Sequence, residues 1–97
     1  MATYAELFDL RNNTDLRNRV AVAALKKAQA LLDIASPTTQ QVTWAKTALN
    51  DPLAVADQLM GYVLSANSGN SMAQITGATD AQIQTNVNAA ADKLLTG

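Results

Sequence analysis

Few side chains in this sequence could carry out catalysis. The 97 residues include neither histidine nor cysteine, which excludes triads with a histidine base, cysteine nucleophiles and metal sites built from thiolate or imidazole ligands. Acid–base chemistry would need two carboxylates that converge in an apolar cleft. The eight Asp and Glu residues are the candidates for such a pair.

The positions of the acidic residues do not indicate a carboxylate pair. Asp15, Asp51 and Asp80 lie at predicted helix starts, where the helix dipole accounts for a negative charge. A calcium-binding loop would place glutamate after a ladder of Asp and Asn, and Glu6 is the only glutamate. We therefore expect no enzyme activity, no metal site, no cofactor and no small-molecule substrate.

Phosphate binding has little support in the sequence. There is no glycine-rich phosphate motif, and only Gly69-Asn70-Ser71 could form a small anion-binding nest before a predicted helix. The formal net charge of −1 is too small for a domain that neutralises many phosphates. A helix-turn-helix protein would place its third or fourth helix in the major groove, but Lys46 is the only base on those helices. Nucleic-acid binding is therefore only an alternative.

Charge is distributed unevenly along the chain. Six bases and four acids lie in the first half, and one base and four acids in the second, so the halves carry +2 and −3. Four of the bases lie on the predicted second helix: Arg17, Arg19, Lys26 and Lys27. Solvated helix faces explain this pattern. The more specific alternative is a weak charge dipole that orients the protein against a partner.

The predicted surface is polar but poor in charge. Charged residues make up 15% of the chain, against roughly 25% in ordinary soluble domains. Amides fill many outward positions instead: Gln40, Gln41, Gln58, Gln74, Gln82, Gln84, Asn86 and Asn88. A neutral polar surface suits a subunit enclosed by others, because each charge buried in an interface needs a partner. This favours an assembly component.

The candidate interface combines two polar loops with one aromatic residue. Trp44 is the only tryptophan, and it is either a core anchor or a binding hot spot. The loops cover residues 11–14 and 65–71. The candidate interface residues are Arg11, Asn12, Asn13, Trp44, Asn67, Ser68, Gly69 and Asn70.

Helices must position these residues. Thr3-x-x-Glu6 matches a capping box, in which a hydroxyl and a carboxylate each accept from a free backbone N–H. It predicts a short first helix that ends near Leu10. Apolar residues at helical spacing predict a broad, central second helix from position 14 or 15 to about position 35.

Proline marks the next two helix starts. The third helix begins either with Pro37 in its first turn or at a capping box of Thr38 and Gln41, and it ends at position 50. Asp51-Pro52 then caps and starts the fourth helix. Gly61 inside that helix costs about 1 kcal/mol relative to alanine, which indicates either tight packing or a weak point.

The last part of the chain contains two further helix starts. Ser71-x-x-Gln74 caps a single turn that Gly77 ends, and we expect Gly77 to hold a backbone conformation that other residues disfavour. Thr79 is predicted to be the N-cap of the final helix.

The fold class is all-α, because no alternating strand pattern persists. With 48% apolar residues, residues 1–97 are expected to form one domain, a compact bundle of four main helices plus one or two short ones. The predicted core is Leu7, Phe8, Leu16, Val20, Leu31, Leu49, Leu59, Val63, Ile83, Val87 and Leu94.

Membrane association is not expected. No stretch reaches the roughly 18 apolar residues of a transmembrane span, and the first residues do not resemble a secretory signal. Synthesis in the cytoplasm is the expectation.

Five segments carry a family resemblance: Tyr4-Ala-Glu-Leu, Leu16-Arg-Asn-Arg-Val-Ala-Val-Ala, Trp44-Ala-Lys, Asp51-Pro52 and Ile75-Thr-Gly-Ala-Thr-Asp-Ala-Gln-Ile-Gln-Thr-Asn-Val-Asn-Ala-Ala. Together they resemble small proteins encoded near the virion structural genes of tailed bacteriophages, over nearly the whole chain. The resemblance implies a non-catalytic virion protein in the capsid, at the head–tail junction or in the tail, with other virion proteins or copies of itself as partners. The alternative is a small phage-encoded module that binds nucleic acid or a host protein.

Overall fold

The computed structural model describes residues 3–67 and 69–96, and the side chains of Tyr4, Leu7, Met72 and Thr96 lie outside that description. The described helices are α1 (Tyr4–Arg11), α2 (Thr14–Leu32), α3 (Thr39–Asn50), α4 (Pro52–Ala66), α5 (Met72–Thr76) and α6 (Asp80–Thr96). No strand occurs within the described ranges. The all-α prediction, with four long and two short helices, is confirmed.

Reciprocal caps begin four of these helices. In α3, Gln41 donates its backbone N–H to Thr38 Oγ1 at 3.1 Å, and Thr38 donates its own N–H to Gln41 Oε1 at 2.8 Å. The same pair of bonds occurs at the starts of α1, α5 and α6. Each box satisfies two backbone donors that the helix leaves free. Thr79 is confirmed as the N-cap of α6.

The boundaries of α2 and α3 differ slightly from the sequence prediction. Helix α2 starts with Asn13 as its N-cap and ends at Leu32, three residues early, because the chain bends through residues 33–36 before Pro37. Of the two predicted starts for α3, the structure has the capping box.

Helix α2 is central and packs against α3, α4 and α6. It runs parallel to α6, since Arg19 meets Asp80 and Lys27 meets Asp92 along the shared seam. Helix α4 runs antiparallel to α6. Its first half shares a groove with the end of α6, and its last turn shares a pocket with earlier α6 residues. Helix α1 packs against α4.

Small side chains bring the helices close together in the core. Ala24, Ala28, Ala45, Ala48 and Ala56 are fully buried, and alanine both favours helix and permits close helix approach. Larger residues fill the remaining space, and the largest fully buried side chains are Leu59, Met60, Ile83, Val20 and Val87. Leu16, Leu31 and Val63 are also buried as predicted, and Leu94 packs against the core while partly exposed.

Two predicted core residues are at the surface. Phe8 is 69% exposed, because α1 buries Leu10 instead, and positions two residues apart on a helix point about 200° apart. Leu49 is 48% exposed. It borders the turn at Asp51, while the small Ala45 and Ala48 make the buried contacts of α3. The side chain of Leu7 lies outside the described residues.

The two glycines singled out in the sequence have ordinary backbone geometry. Gly77 has φ −90° and ψ 6°, so the prediction of a disfavoured conformation is wrong. Its need for glycine is spatial instead, since an added Cβ would lie 2.8 Å from the carbonyl oxygen of Ala73. At Gly61 an added Cβ would lie 3.4 Å from Arg11 Nη1, the end of a flexible side chain. Of the two alternatives for Gly61, tight packing or a weak point in the helix, the structure therefore favours the weak point.

Candidate interaction surfaces

The basic residues of α2 connect that helix to its neighbours. Arg17 Nη2 lies 2.7 Å from Asp57 Oδ1 on α4. Lys27 Nζ lies 2.9 Å from Asp92 Oδ1 on α6, and its side chain is only 15% exposed. Because these cations are paired within the molecule, α2 does not present a free row of charges to phosphates.

Arg19 makes the most extensive of these contacts. Its guanidinium donates Nε–H to Asp80 Oδ1 at 3.0 Å and Nη2–H to the carbonyl oxygen of Ala78 at 2.6 Å. The arginine thus holds the first turn of α6 and the residue two positions before it against α2. A pocket beside this contact, of about 180 Å³, is the seam between the two helices, where Gln84 donates to the carbonyl oxygen of Ala23 at 3.0 Å.

The carboxylate of Glu6 lies in the capping box at the start of α1. The backbone N–H of Thr3 donates to its carboxylate at 3.0 Å. This bond, followed by one from the Thr3 side chain, lowers the pKa of Glu6 below its ordinary value. Hydrogen bonds to the charged form explain that direction, so the perturbation belongs to a helix cap. No cluster of three or more acids that could hold a metal ion occurs among the described residues.

Several predicted interface amides have structural roles. Asn13 Oδ1 accepts from the Leu16 N–H at 2.9 Å and caps α2. Asn67 donates its Nδ2–H to the carbonyl oxygen of Val63 at 2.7 Å, and Asn70 donates to Asn67 Oδ1 at 2.9 Å. The two bonds of Asn67 connect it to the last turns of α4 and to Asn70, and so fix the positions of these two asparagines.

The other loop candidates are more open. Arg11 and Asn12 are exposed at the end of α1. Gly69 is exposed, with open space where a side chain would be. Ser68 lies outside the described residues. Arg11, Asn12 and Gly69 are thus accessible to a partner.

The candidate residues fall into two groups at opposite ends of the bundle. Residues 11–14, which join α1 to α2, lie where α2 begins. The predicted loop 65–71 starts two residues later than expected, because α4 continues to Ala66, and Asn67 and Asn70 lie beside the start of α6. Trp44 lies near the other end, beside Leu94 and Leu95 of α6. The structure therefore does not join Trp44 to the loops in one surface.

A concave surface lined by amides lies beside the second loop. This amide pocket, about 560 Å³ in volume, is lined by Asn67, Asn70, Gln74, Gly77, Ala78, Gln82, Thr85 and Asn86. No charged residue lines it. Gln74 and Gln82 use their carbonyl oxygens as helix caps, and their amide N–H groups have no partner among the described residues. The pocket thus offers hydrogen-bond donors without a charge to desolvate.

A second concave surface surrounds Trp44. This Trp44 groove, about 420 Å³, is lined by Thr39, Gln40, Thr43, Trp44 and Thr47 of α3, Val55 and Gln58 of α4, and Leu94 and Leu95 of α6. It is also free of charged residues. Trp44 packs partly against the core and partly lines the groove. The core contact is as predicted, and a role in binding stays a prediction. Its indole Nε1 is buried, with no acceptor in the described structure.

Sequence reasoning did not find the groove, and of the residues that line the amide pocket it proposed only Asn67 and Asn70 as interface residues. The glutamines of the pocket were visible as capping-box residues, and Gln82 and Asn86 share one face of α6 at i, i+4 spacing. The groove needs three helices to meet, and no local pattern encodes that meeting.

None of the described helices is both long enough and apolar enough to cross a membrane.

Comparison of the chain with protein-family models, with curated proteins and with solved structures gives no match.

Proposed function

We propose that this protein is a non-catalytic structural component of a tailed-phage virion, in the capsid, at the head–tail junction or in the tail. Many copies act there through protein–protein contacts with other virion proteins or with one another. The resemblance over nearly the whole chain supports the phage assignment.

The observation that carries the proposal is the absence of charge from two concave surfaces, the amide pocket and the Trp44 groove. Three cations of α2 pair with acids on α4 and α6, whereas the amide pocket and the Trp44 groove have no charged lining residue. Uncharged surfaces can be buried against a neighbouring subunit without the desolvation penalty of an unpaired ion. Repetition in a symmetric particle also multiplies modest contacts through effective concentration.

Mass spectrometry of gradient-purified virions tests the proposal. We expect the chain in intact particles at a fixed ratio to a known capsid protein, with lysate from infected cells as the control for expression. A chain that is abundant in the lysate but absent from particles would overturn the virion assignment. Salt-sensitive retention of DNA by the isolated protein, with a slope that corresponds to several phosphates, would favour the nucleic-acid alternative instead.

A further inference from the structure

We infer that the amide pocket and the adjoining surface around Tyr62 together bind a neutral oligosaccharide. The inference goes beyond the proposed function, and it leaves the Trp44 groove to contacts between subunits. None of the described residues that line the two surfaces is an acid, so the saccharide is a ligand and not the substrate of an acid–base reaction.

The two surfaces adjoin between α4 and α6. The Tyr62 pocket, about 200 Å³ in volume, is lined by Tyr62, Ser65 and Ala66 of α4 and by residues of α6 that include Asn86, Ala89 and Lys93. Asn86 lines the amide pocket as well, so the two pockets meet at this residue. Gln82, Asn86 and Lys93 lie on one face of α6. A ligand of several sugar units can therefore contact both pockets along that face.

The amide donors of the pocket are held in fixed positions by the fold. The carbonyl oxygens of Gln74 and Gln82 accept from the N-cap backbone N–H groups of α5 and α6 at 2.7 and 2.8 Å. Because each carbonyl oxygen is occupied in this way, each glutamine presents its two amide N–H donors. Asn70 donates to Asn67 Oδ1 at 2.9 Å, which leaves the carbonyl oxygen of Asn70 as an acceptor. Groups that are already fixed lose little entropy when a ligand binds.

The lining chemistry selects a neutral ligand that carries hydroxyl groups. None of the described residues that line the amide pocket is charged, so a phosphate or carboxylate would lose water there without a cation to pair with. A sugar hydroxyl both accepts and donates, which matches the glutamine donors and the acceptor on Asn70. Thr85 adds a second acceptor, because its hydroxyl hydrogen is used by the carbonyl oxygen of Ala81. The volume of about 560 Å³ also falls within the range of small-molecule sites.

Tyr62 supplies an aromatic surface beside these amides. Its side chain is 40% exposed, and its hydroxyl has no hydrogen-bond partner in the described structure. The C–H groups of a sugar ring can pack against the aromatic face while the phenol hydroxyl bonds to a sugar oxygen. Ser65 and Ala89 beside it are small and exposed. Lys93 is the only charged residue among the described lining of either pocket, and its ammonium can donate to a hydroxyl oxygen.

NMR titration of the full chain with three neutral trisaccharides, maltotriose, cellotriose and chitotriose, is the first experiment. We expect at least one of them to shift the side-chain amide signals of Gln74, Gln82 and Asn86 and the ring signals of Tyr62, with a Kd of about 1 mM or tighter. The indole signal of Trp44, in the other groove, should not move, and glycerol is the control for a small polyol.

Two results of this titration would overturn the inference. One is the absence of saturable shifts with all three trisaccharides up to about 10 mM. The other is binding of the acidic trisaccharide trigalacturonate in preference to the neutral ones, which would assign the site to an anion.

The second experiment compares variants, each verified by circular dichroism to keep its helices. Asn86→Ala should weaken binding by about threefold to tenfold, because Asn86 lies where the pockets meet and makes no hydrogen bond within the described structure. Asn88→Ala is the matched control. Asn88 is likewise half-buried on α6 but lines neither pocket, so this variant should bind like the unmodified chain.

Tyr62 separates the aromatic contact from the hydroxyl. Tyr62→Ala should weaken binding by about tenfold, whereas Tyr62→Phe keeps the ring and should bind within about threefold of the unmodified chain. Undiminished binding by both Tyr62→Ala and Asn86→Ala would overturn the inference. None of these results bears on whether virions contain the chain, so the proposed function is tested separately.

Discussion

At the scale of single residues, Gly61 and Gly77 respond differently to the same added methyl group. An alanine Cβ at Gly77 would meet the carbonyl oxygen of Ala73 at 2.8 Å, whereas at Gly61 it would make an ordinary contact with a flexible arginine. Gly77→Ala should therefore destabilise the fold by about 1–3 kcal/mol through overpacking. Gly61→Ala should stabilise it by up to about 1 kcal/mol through helix propensity. Urea unfolding of both variants measures the two effects, and equal signs would contradict this account.

The carboxylate of Glu6 makes the start of α1 sensitive to acid. Because its pKa is lower in the folded state, the ionised group stabilises that state above its unfolded-state pKa, and this contribution is lost as the pH falls through the folded-state pKa. An NMR titration should show the Thr3 amide following the Glu6 carboxyl. Glu6→Gln is the control, since the other three boxes use glutamine. A Thr3 amide that titrates unchanged in that variant would rule out the cap as the cause.

At the scale of elements, helix starts were predictable because a capping box needs only residues three apart. Thr79→Ala should cost about 1 kcal/mol, because it removes the acceptor for the Gln82 N–H. Thr85→Ala is the matched control. Thr85 donates to the carbonyl oxygen of Ala81 in the middle of the same helix, so its loss should be neutral or stabilising by a few tenths of a kcal/mol. Urea midpoints that fall equally for both variants would contradict the cap.

The orientation of a short helix was less predictable than its ends. Phe8 and Leu10 are both apolar, and sequence alone does not say which one α1 turns toward α4, because eight residues provide little periodicity. The same limit applies to Leu49, because the sequence of α3 does not show which side of that helix packs against α2 and α4. For the candidate surfaces, the polar loops were found because they are local, while the Trp44 groove depends on distant residues such as Val55 and Leu94.

At the scale of the whole molecule, three of the seven basic residues make ion pairs between helices. Arg17, Arg19 and Lys27 connect α2 to α4 and α6 across long sequence separations. Because the acidic partners of these pairs are largely exposed, each pair contributes only about 0–1 kcal/mol and weakens with salt. They specify which faces meet, and burial of apolar residues supplies most of the stability.

Truncation of Leu59 and of Leu49 tests whether burial, and not hydrophobicity alone, determines the loss of stability. The sequence pattern placed both residues in the core. Leu59 is fully buried at the centre of α4, whereas Leu49 is 48% exposed. Leu59→Ala should cost about 2–5 kcal/mol, because it removes apolar contacts and leaves a cavity. Leu49→Ala should change stability by less than about 1 kcal/mol, since surface substitutions rarely do more. Urea unfolding measures both changes in the free energy of unfolding, provided that the slope of that free energy with urea concentration is compared between the variants. The free energy of unfolding of a domain of this size is only about 5–15 kcal/mol, so Leu59→Ala should lower the urea midpoint far more than Leu49→Ala. Comparable losses of stability would mean that Leu49 is covered in solution, for instance by a second copy.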